Sequence, residues 1–365
     1  MIVAILSLIA GGGLLLVGAE SLVRGASKLA GLLGISPLII GLTIVAYGTS
    51  APEMAVSVQS SLAGQGDIAL GNVIGSNIFN VLTILGLSAL VAPLVVAQQL
   101  IRLDVPIMIG VSGLLFLFSL DHRLQPSDGI VLLVGGATYT LSLIYLSRKE
   151  TNVEVQAEYA QAYTPPATSS LWTLLINLAL MLVGLVTLVL GSRLFVTGAV
   201  SIAQAIGVSQ LVIGLTIVAA GTSLPELATS VVATLRGERD IAVGNVVGSN
   251  IFNILVVLGV TTLTSPAGVI IPDSVLNFDI PVMVAVAVAC IPIFATGNLI
   301  SRWEGLLFMG YYVAYAAYLI LRAADHEVLQ IYSQVMLLFV IPLTVITLLT
   351  VVVRALPKKR NPAEP

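Results

Sequence analysis

Charge is scarce in this chain. Only 9% of its 365 residues are Asp, Glu, Lys or Arg, where a soluble domain carries about 25%. Hydrophobic residues make up 58%, so the chain cannot cover itself with polar surface, and its solvent is lipid. Cysteine is almost absent: the single Cys290 cannot form an internal disulfide and, lying in an apolar run, reads as a packing residue. Histidine is limited to His122 and His326, each alone in a segment between apolar runs. That excludes His/Cys metal clusters and a nucleophile with its base, so the chain does not read as an enzyme or as the holder of a cofactor. The net charge of −3 is too small to suggest nucleic acid, and no protein partner is evident.

What is present is a series of long apolar runs. A membrane-spanning helix needs roughly 20 such residues. Cutting at charges, Pro and Gly gives eleven spans, at 2–20, 37–62, 69–95, 104–120, 128–147, 171–192, 209–235, 241–265, 279–297, 303–321 and 331–354. The runs are continuous and do not alternate as barrel strands do, so helices are expected. Met1 to Leu16 lack a basic leading segment and read as the first span, not a signal peptide.

Basic residues set the orientation. With the N-terminus outside, twelve of the fifteen Lys and Arg fall on the cytoplasmic side and only Arg123, Arg193 and Arg322 fall outside. The expected location is a plasma membrane of prokaryotic type, with the C-terminus in the cytoplasm. The polar stretch 149–170 reads as a cytoplasmic linker. It separates a first unit, 1–148, from a second, 171–322. An additional helix and a basic tail follow in 323–365, with disorder expected from Pro357 onward.

The two units contain one repeated segment. Gly34 to Gly86 aligns without a gap on Gly207 to Gly259, at a constant offset of 173 positions, and about two-thirds of the aligned residues are identical. Both copies carry the run Gly-Thr-Ser-x-Pro-Glu and, later, Gly-Asn-Val-x-Gly-Ser-Asn-Ile-Phe-Asn. Five spans separate equivalent points, and five is odd. The copies therefore cross the membrane in opposite senses, a recurring transporter design with its site near the midplane. The expected fold is all-α and polytopic: two inverted-topology five-helix repeats plus an eleventh, C-terminal helix packed on the outside.

Glu53 and Glu226 lie well inside their spans. An ionised carboxylate at that depth is costly unless compensated, and a bound cation is the natural compensation for two carboxylates in matching contexts. Ala46, Thr49 and Ser50 share a helix face with Glu53, as Ala219, Thr222 and Ser223 do with Glu226. Pro52 and Pro225 have no N–H, which frees the carbonyls of Gly48 and Gly221. Ser76 and Asn80, and their counterparts Ser249 and Asn253, are i, i+4 pairs that add a second face. Asn72, Asn77, Asn245 and Asn250 share that face less well and read as structural. Asp104 and Asp279 each stand two residues before a Pro at a span start and read as helix caps. This all-oxygen inventory suits hard cations such as Ca²⁺ and Na⁺ rather than zinc or copper.

These paired motifs resemble the calcium/cation antiporter superfamily, in particular its prokaryotic sodium/calcium exchanger branch. The resemblance covers nearly all of the first ten spans. It implies ten core helices in two inverted halves, with four ion sites between the second, third, seventh and eighth. It implies that the two Glu and the Thr49 and Thr222 carbonyls hold Ca²⁺. Ser and Ala oxygens would help hold Na⁺ in flanking sites. It also implies alternating access by sliding of the first and sixth helices. Several relatives carry Asp where this chain has Asn253, which argues against potassium dependence. The third and eighth helices lack the carboxylate pattern of proton/calcium exchangers. The expected activity is secondary antiport of Ca²⁺ against Na⁺. The alternatives are proton-coupled exchange of Ca²⁺ or another divalent ion and, less in keeping with occluded carboxylates, a passive cation channel.

Overall fold

The computed structural model describes residues 1–149, 171–208, 213, 216, 217, 219–265 and 268–355. Residues 150–170 of the linker expected at 149–170, the C-terminal tail and part of the seventh span lie outside the described residues.

The protein is an all-helical membrane protein. Its helices are α1 (Ile2–Leu33), α2 (Pro37–Thr49), α3 (Ala51–Leu62), α4 (Gly66–Val91), α5 (Leu100–Phe118) and α6 (Pro126–Lys149). These are followed by α7 (Leu171–Ala205), α8 (Leu224–Leu235), α9 (Arg239–Thr264), α10 (Val275–Ala295), α11 (Arg302–Ala323) and α12 (Val328–Thr350). Among the described residues, nine helices are long and apolar enough to cross a membrane, and the bent pair α2–α3 makes a tenth. The expected seventh span is represented by α8 and the short turn Ala219–Gly221 before it.

Two boundaries move outward. α1 and α7 were expected to end near residues 20 and 192, but they run to Leu33 and Ala205. Glu20, Arg24, Lys28 and Arg193 do not stop them, because long charged side chains are good helix formers that can reach outward to polar surroundings. What stops α1 is Gly34, which adopts the left-handed conformation (φ 63°, ψ 33°) and donates its amide to the Ala30 carbonyl.

α1 and α7 form an antiparallel pair through glycines. A Cβ on Gly11 would lie 2.4 Å from the Phe195 amide nitrogen, one on Gly18 2.8 Å from that of Leu188, and one on Gly198 2.6 Å from the Ala4 carbonyl oxygen. Rising residue numbers on α1 thus face falling numbers on α7. Without a hydrophobic force between helices in lipid, such close backbone approach is what holds a pair together.

α4 and α9 are the central helices: 83% and 94% of their apolar windows are buried within the protein, against 22% for α1 and 28% for α7. α9 also meets α2 through glycine, with Gly248 against the Leu42 carbonyl and Gly244 against that of Leu38. Four two-residue strands tie the periphery: β1 (Leu94–Val95), β2 (Arg123–Leu124), β3 (Val269–Ile270) and β4 (Leu299–Ile300). β1 pairs antiparallel with β4, and β2 with β3, so each pairing joins the first half of the chain to the second.

α12 has no buried residue among those described. It rests on α11, where the Tyr332 hydroxyl donates to the Ala314 carbonyl at 2.7 Å and that of Tyr311 to Thr344 Oγ1 at 2.7 Å.

Candidate cation site

Local backbone geometry builds the site. Ser50 (φ −80°, ψ 7°) and Ser223 (φ −87°, ψ 8°) both leave the helical region just before Pro52 and Pro225. This sparsely populated conformation is common at functional residues. At Ser50 it bends α2 from α3 by 43°. The Gly221 carbonyl freed by Pro225 accepts the Ser192 hydroxyl at 2.6 Å. On α4 and α9 the next residue of interest opens a π-helical stretch, Asn80–Leu85 and Asn253–Leu258. Such wide turns often mark functional positions.

Both carboxylates are fully buried, and each is held by the other half of the chain. Ser50 Oγ donates to Glu226 Oε1 at 3.0 Å, and Ser223 Oγ donates to Glu53 Oε1 at 2.9 Å. Ser76 Oγ also donates to Glu53 Oε1, at 3.4 Å. Ser249 Oγ donates instead to the Ala46 carbonyl, at 3.4 Å. Thr49 Oγ1 donates to the same carbonyl at 3.3 Å and approaches Asn245 Oδ1 at 3.1 Å. Thr222 Oγ1 donates to Asn72 Oδ1 at 3.2 Å. Ala219 lies in the helical turn that leads into this region.

The remaining Asn residues position the others. Asn72 Nδ2 donates to the Glu53 carbonyl (3.2 Å) and Ser57 Oγ (2.9 Å), and Asn245 Nδ2 to the Glu226 carbonyl (3.3 Å) and Ser230 Oγ (3.0 Å). Asn77 and Asn250 exchange amide-to-carbonyl bonds at 3.2 and 3.3 Å. Their side-chain oxygens accept the amides of Asn253 (3.1 Å) and Asn80 (3.0 Å). That engages the donor end of Asn80 and of Asn253 and leaves their acceptor ends unused.

Four buried oxygens of these acidic and amide side chains therefore have no protein donor among the described residues: Glu53 Oε2, Glu226 Oε2, Asn80 Oδ1 and Asn253 Oδ1. Buried acceptors are nearly always satisfied. Carboxylate and amide oxygens without donors are the ligand type that a hard cation takes. Among the described residues, no three of His, Cys, Asp or Glu come together as a softer metal would require.

Asp104 and Asp279 are not caps. Each has helical dihedrals because its helix begins earlier, in the π-helical stretches Leu100–Asp104 and Val275–Asp279. Their carboxylates reach sideways, Asp104 to the Tyr139 hydroxyl (2.9 Å) and Gln99 Nε2 (3.3 Å), Asp279 to the Tyr315 hydroxyl (2.9 Å). A shared Asp followed two residues later by Pro signalled these positions, but not their partners on α6 and α11. His122 is not alone either: its Nδ1 lies 3.3 Å from Asp273 Oδ1.

The sequence pattern of the family described as sodium/calcium exchanger protein matches residues 3–146 and 176–321. CaxA of Alkalimonas amylolytica is 42% identical over 318 residues, covering 86% of this chain and 98% of its own. The sodium/calcium exchanger MaX1 of Methanosarcina acetivorans is 33% identical, covering 82% of this chain and 93% of its own. The solved sodium/calcium exchanger of Methanococcus jannaschii superposes with a TM-score of 0.71 at 31% identity, over 87% of this chain and 98% of its own. With two matched segments that span both halves and a site of paired buried carboxylates between them, the chain belongs to the sodium/calcium exchanger family.

Proposed function

We propose that this protein is a secondary antiporter that exchanges Ca²⁺ for Na⁺ across the membrane by alternating access. The observation that carries this reading is the set of four unpartnered buried oxygens contributed equally by both halves of the chain. Two carboxylates balance one divalent ion or accommodate several monovalent ones, which is the arithmetic of exchange. Ca²⁺ favours six to eight oxygens, and the Ser, Thr and main-chain oxygens around Glu53 and Glu226 supply the rest of the inventory. The names of MaX1 and of the Methanococcus jannaschii protein point to the same pair of ions.

The two units, 1–148 and 171–322, act as inverted halves in this reading, with α12 as an appendage. The antiparallel α1–α7 pair supports that symmetry. Its two lightly buried, glycine-faced helices form a unit able to slide against the rest. In this reading the protein sits in a prokaryotic plasma membrane with its N-terminus outside and its C-terminus in the cytoplasm, an orientation that the distribution of Lys and Arg supports.

Sodium is favoured over protons or potassium as the coupling ion because Asn80 and Asn253 are matched neutral ligands. Asn253→Asp adds a titratable group to one half only. The expected outcome in proteoliposomes is a new dependence of calcium flux on pH or potassium. A variant with unchanged ion dependence would remove this position from coupling.

A further inference from the structure

Buried hydroxyls in these helices have a default partner, the carbonyl four residues earlier. Thr43, Ser112, Ser119, Thr234, Thr261 and Thr262 all use it, at 2.5 to 2.8 Å. Others bond across helices, as Ser50, Ser61 and Ser192 do, but among the described residues three buried hydroxyls do neither. Thr83, Ser88 and Thr229 are 8%, 1% and 0% exposed, and their oxygens have no hydrogen-bond partner.

The three stand on two elements that pack against each other. Thr229 is three residues beyond Glu226 on α8, and Thr83 three beyond Asn80 on α4, so each follows a site residue by about one turn. α8 packs along residues 80–91 of α4, which also contain Ser88. Both elements therefore leave the site in the same direction, toward the α8–α9 turn.

The other half lacks this feature. The offset of 173 carries Thr229 to Val56 and Thr83 to Val256. It carries Ser88 to Thr261, whose hydroxyl is satisfied by the Val257 carbonyl at 2.7 Å and whose own carbonyl accepts from Ser61 at 2.8 Å. One flank of the site thus carries buried, unsatisfied oxygens, and its counterpart is apolar or closed.

We infer that Thr83, Ser88 and Thr229 line a hydroxyl-walled access route between Glu226 and the α8–α9 face, serving a partly hydrated hard cation in transit. Neutral hydroxyls suit a route better than a resting site, because they replace some water ligands without the grip of a charge. The route deepens the antiport reading and rests on it for the identity of the ion.

Thiol reactivity tests it directly. Thr83→Cys, Thr229→Cys and Val56→Cys are made in a Cys290→Ala background and exposed, in vesicles of either orientation, to a membrane-impermeant cationic thiosulfonate. The threonine positions should react about tenfold faster than Val56→Cys, and only from the α8–α9 face, because labelling follows access of water and reagent to the thiol. Equal rates at the three positions, or faster reaction from the opposite face, would overturn the route. This readout needs no calcium flux, so it stands even if the transported ion is another.

Should the cysteine variants fail to fold, Thr83→Val/Thr229→Val and Thr83→Ser/Thr229→Ser give a second test. Losing the hydroxyls should slow exchange by about tenfold with equilibrium Ca²⁺ affinity unchanged, and serine should restore the rate. A valine variant that exchanges at the wild-type rate would contradict the proposal.

Discussion

The two halves of this protein agree at the site and differ beside it. Exchanging them by the offset of 173 turns the Ser50–Glu226 bond into Ser223–Glu53, and Thr49–Asn245 into Thr222–Asn72. It also turns Asn80–Asn250 into Asn253–Asn77. A few residues away the correspondence stops. Ser192 satisfies the Gly221 carbonyl, while its counterpart beside α2 is Ala19. Tyr47 packs its ring at a tilt against Phe252 and bonds Thr140, where the second half has Ala220. Glu20 on α1 pairs with Arg24 and with Arg236 at the end of α8, but the counterpart of Glu20 is Arg193. The lesson is a division of labour. The matched bonds hold the residues proposed to bind the cation, whereas the surroundings are free to make the two faces of the protein unequal.

The largest expected effect comes from breaking the match at its centre. Glu53→Gln or Glu226→Gln each removes one charge from the site. Each should lower calcium flux by at least about 100-fold, since uncompensated change at a buried charged site costs 3–5 kcal/mol, while the purified protein keeps its wild-type elution profile. Wild-type flux in either would remove the carboxylates from the site.

A finer test separates the two carboxylates. Glu53 Oε1 accepts from both Ser223 and Ser76, whereas among the described residues the counterpart of Ser76, Ser249, bonds the Ala46 carbonyl and leaves Ser50 on Glu226 Oε1. A hydrogen bond to a charged group contributes about 1.5–3 kcal/mol. Ser50→Ala should therefore weaken calcium binding, measured by calorimetry, by about tenfold or more, and Ser223→Ala by less. The reverse order would show that the two sides are not held as described.

The smallest effect belongs to the unmatched flank. Glu20 keeps about a quarter of its side chain exposed (27%), and pairs at such positions contribute about 0–1 kcal/mol. Glu20→Gln should lower thermal stability by no more than that amount, with calcium affinity unchanged. A large loss of calcium binding would mean that the flank and the site are not separable.

Much of this was legible in the sequence. Depth in an apolar run marked Glu53 and Glu226, helix spacing grouped Thr49, Ser50 and Glu53, and the parity of spans implied opposed halves. What could not be read were bonds between distant segments. Nothing in the local spacing says that Ser50 serves Glu226 and not its neighbour Glu53. Nor does it say that Asn77 and Asn250 turn the oxygens of Asn253 and Asn80 away from donors. Asp104 and Asp279 look like caps in the sequence because a Pro two residues later ordinarily marks a first turn. Here a π-helical turn precedes it, and the carboxylates are bonded by tyrosines from the far ends of their halves. α1 and α7 run past the ends that the sequence suggests because charge marks the limit of a lipid-compatible stretch, not of a helix.

The most direct test of exchange is calcium flux in proteoliposomes under separately imposed sodium, potassium and pH gradients. The account predicts calcium uptake driven by an outward sodium gradient, and none when potassium or protons replace sodium. Calcium movement that ignores the sodium gradient would contradict it.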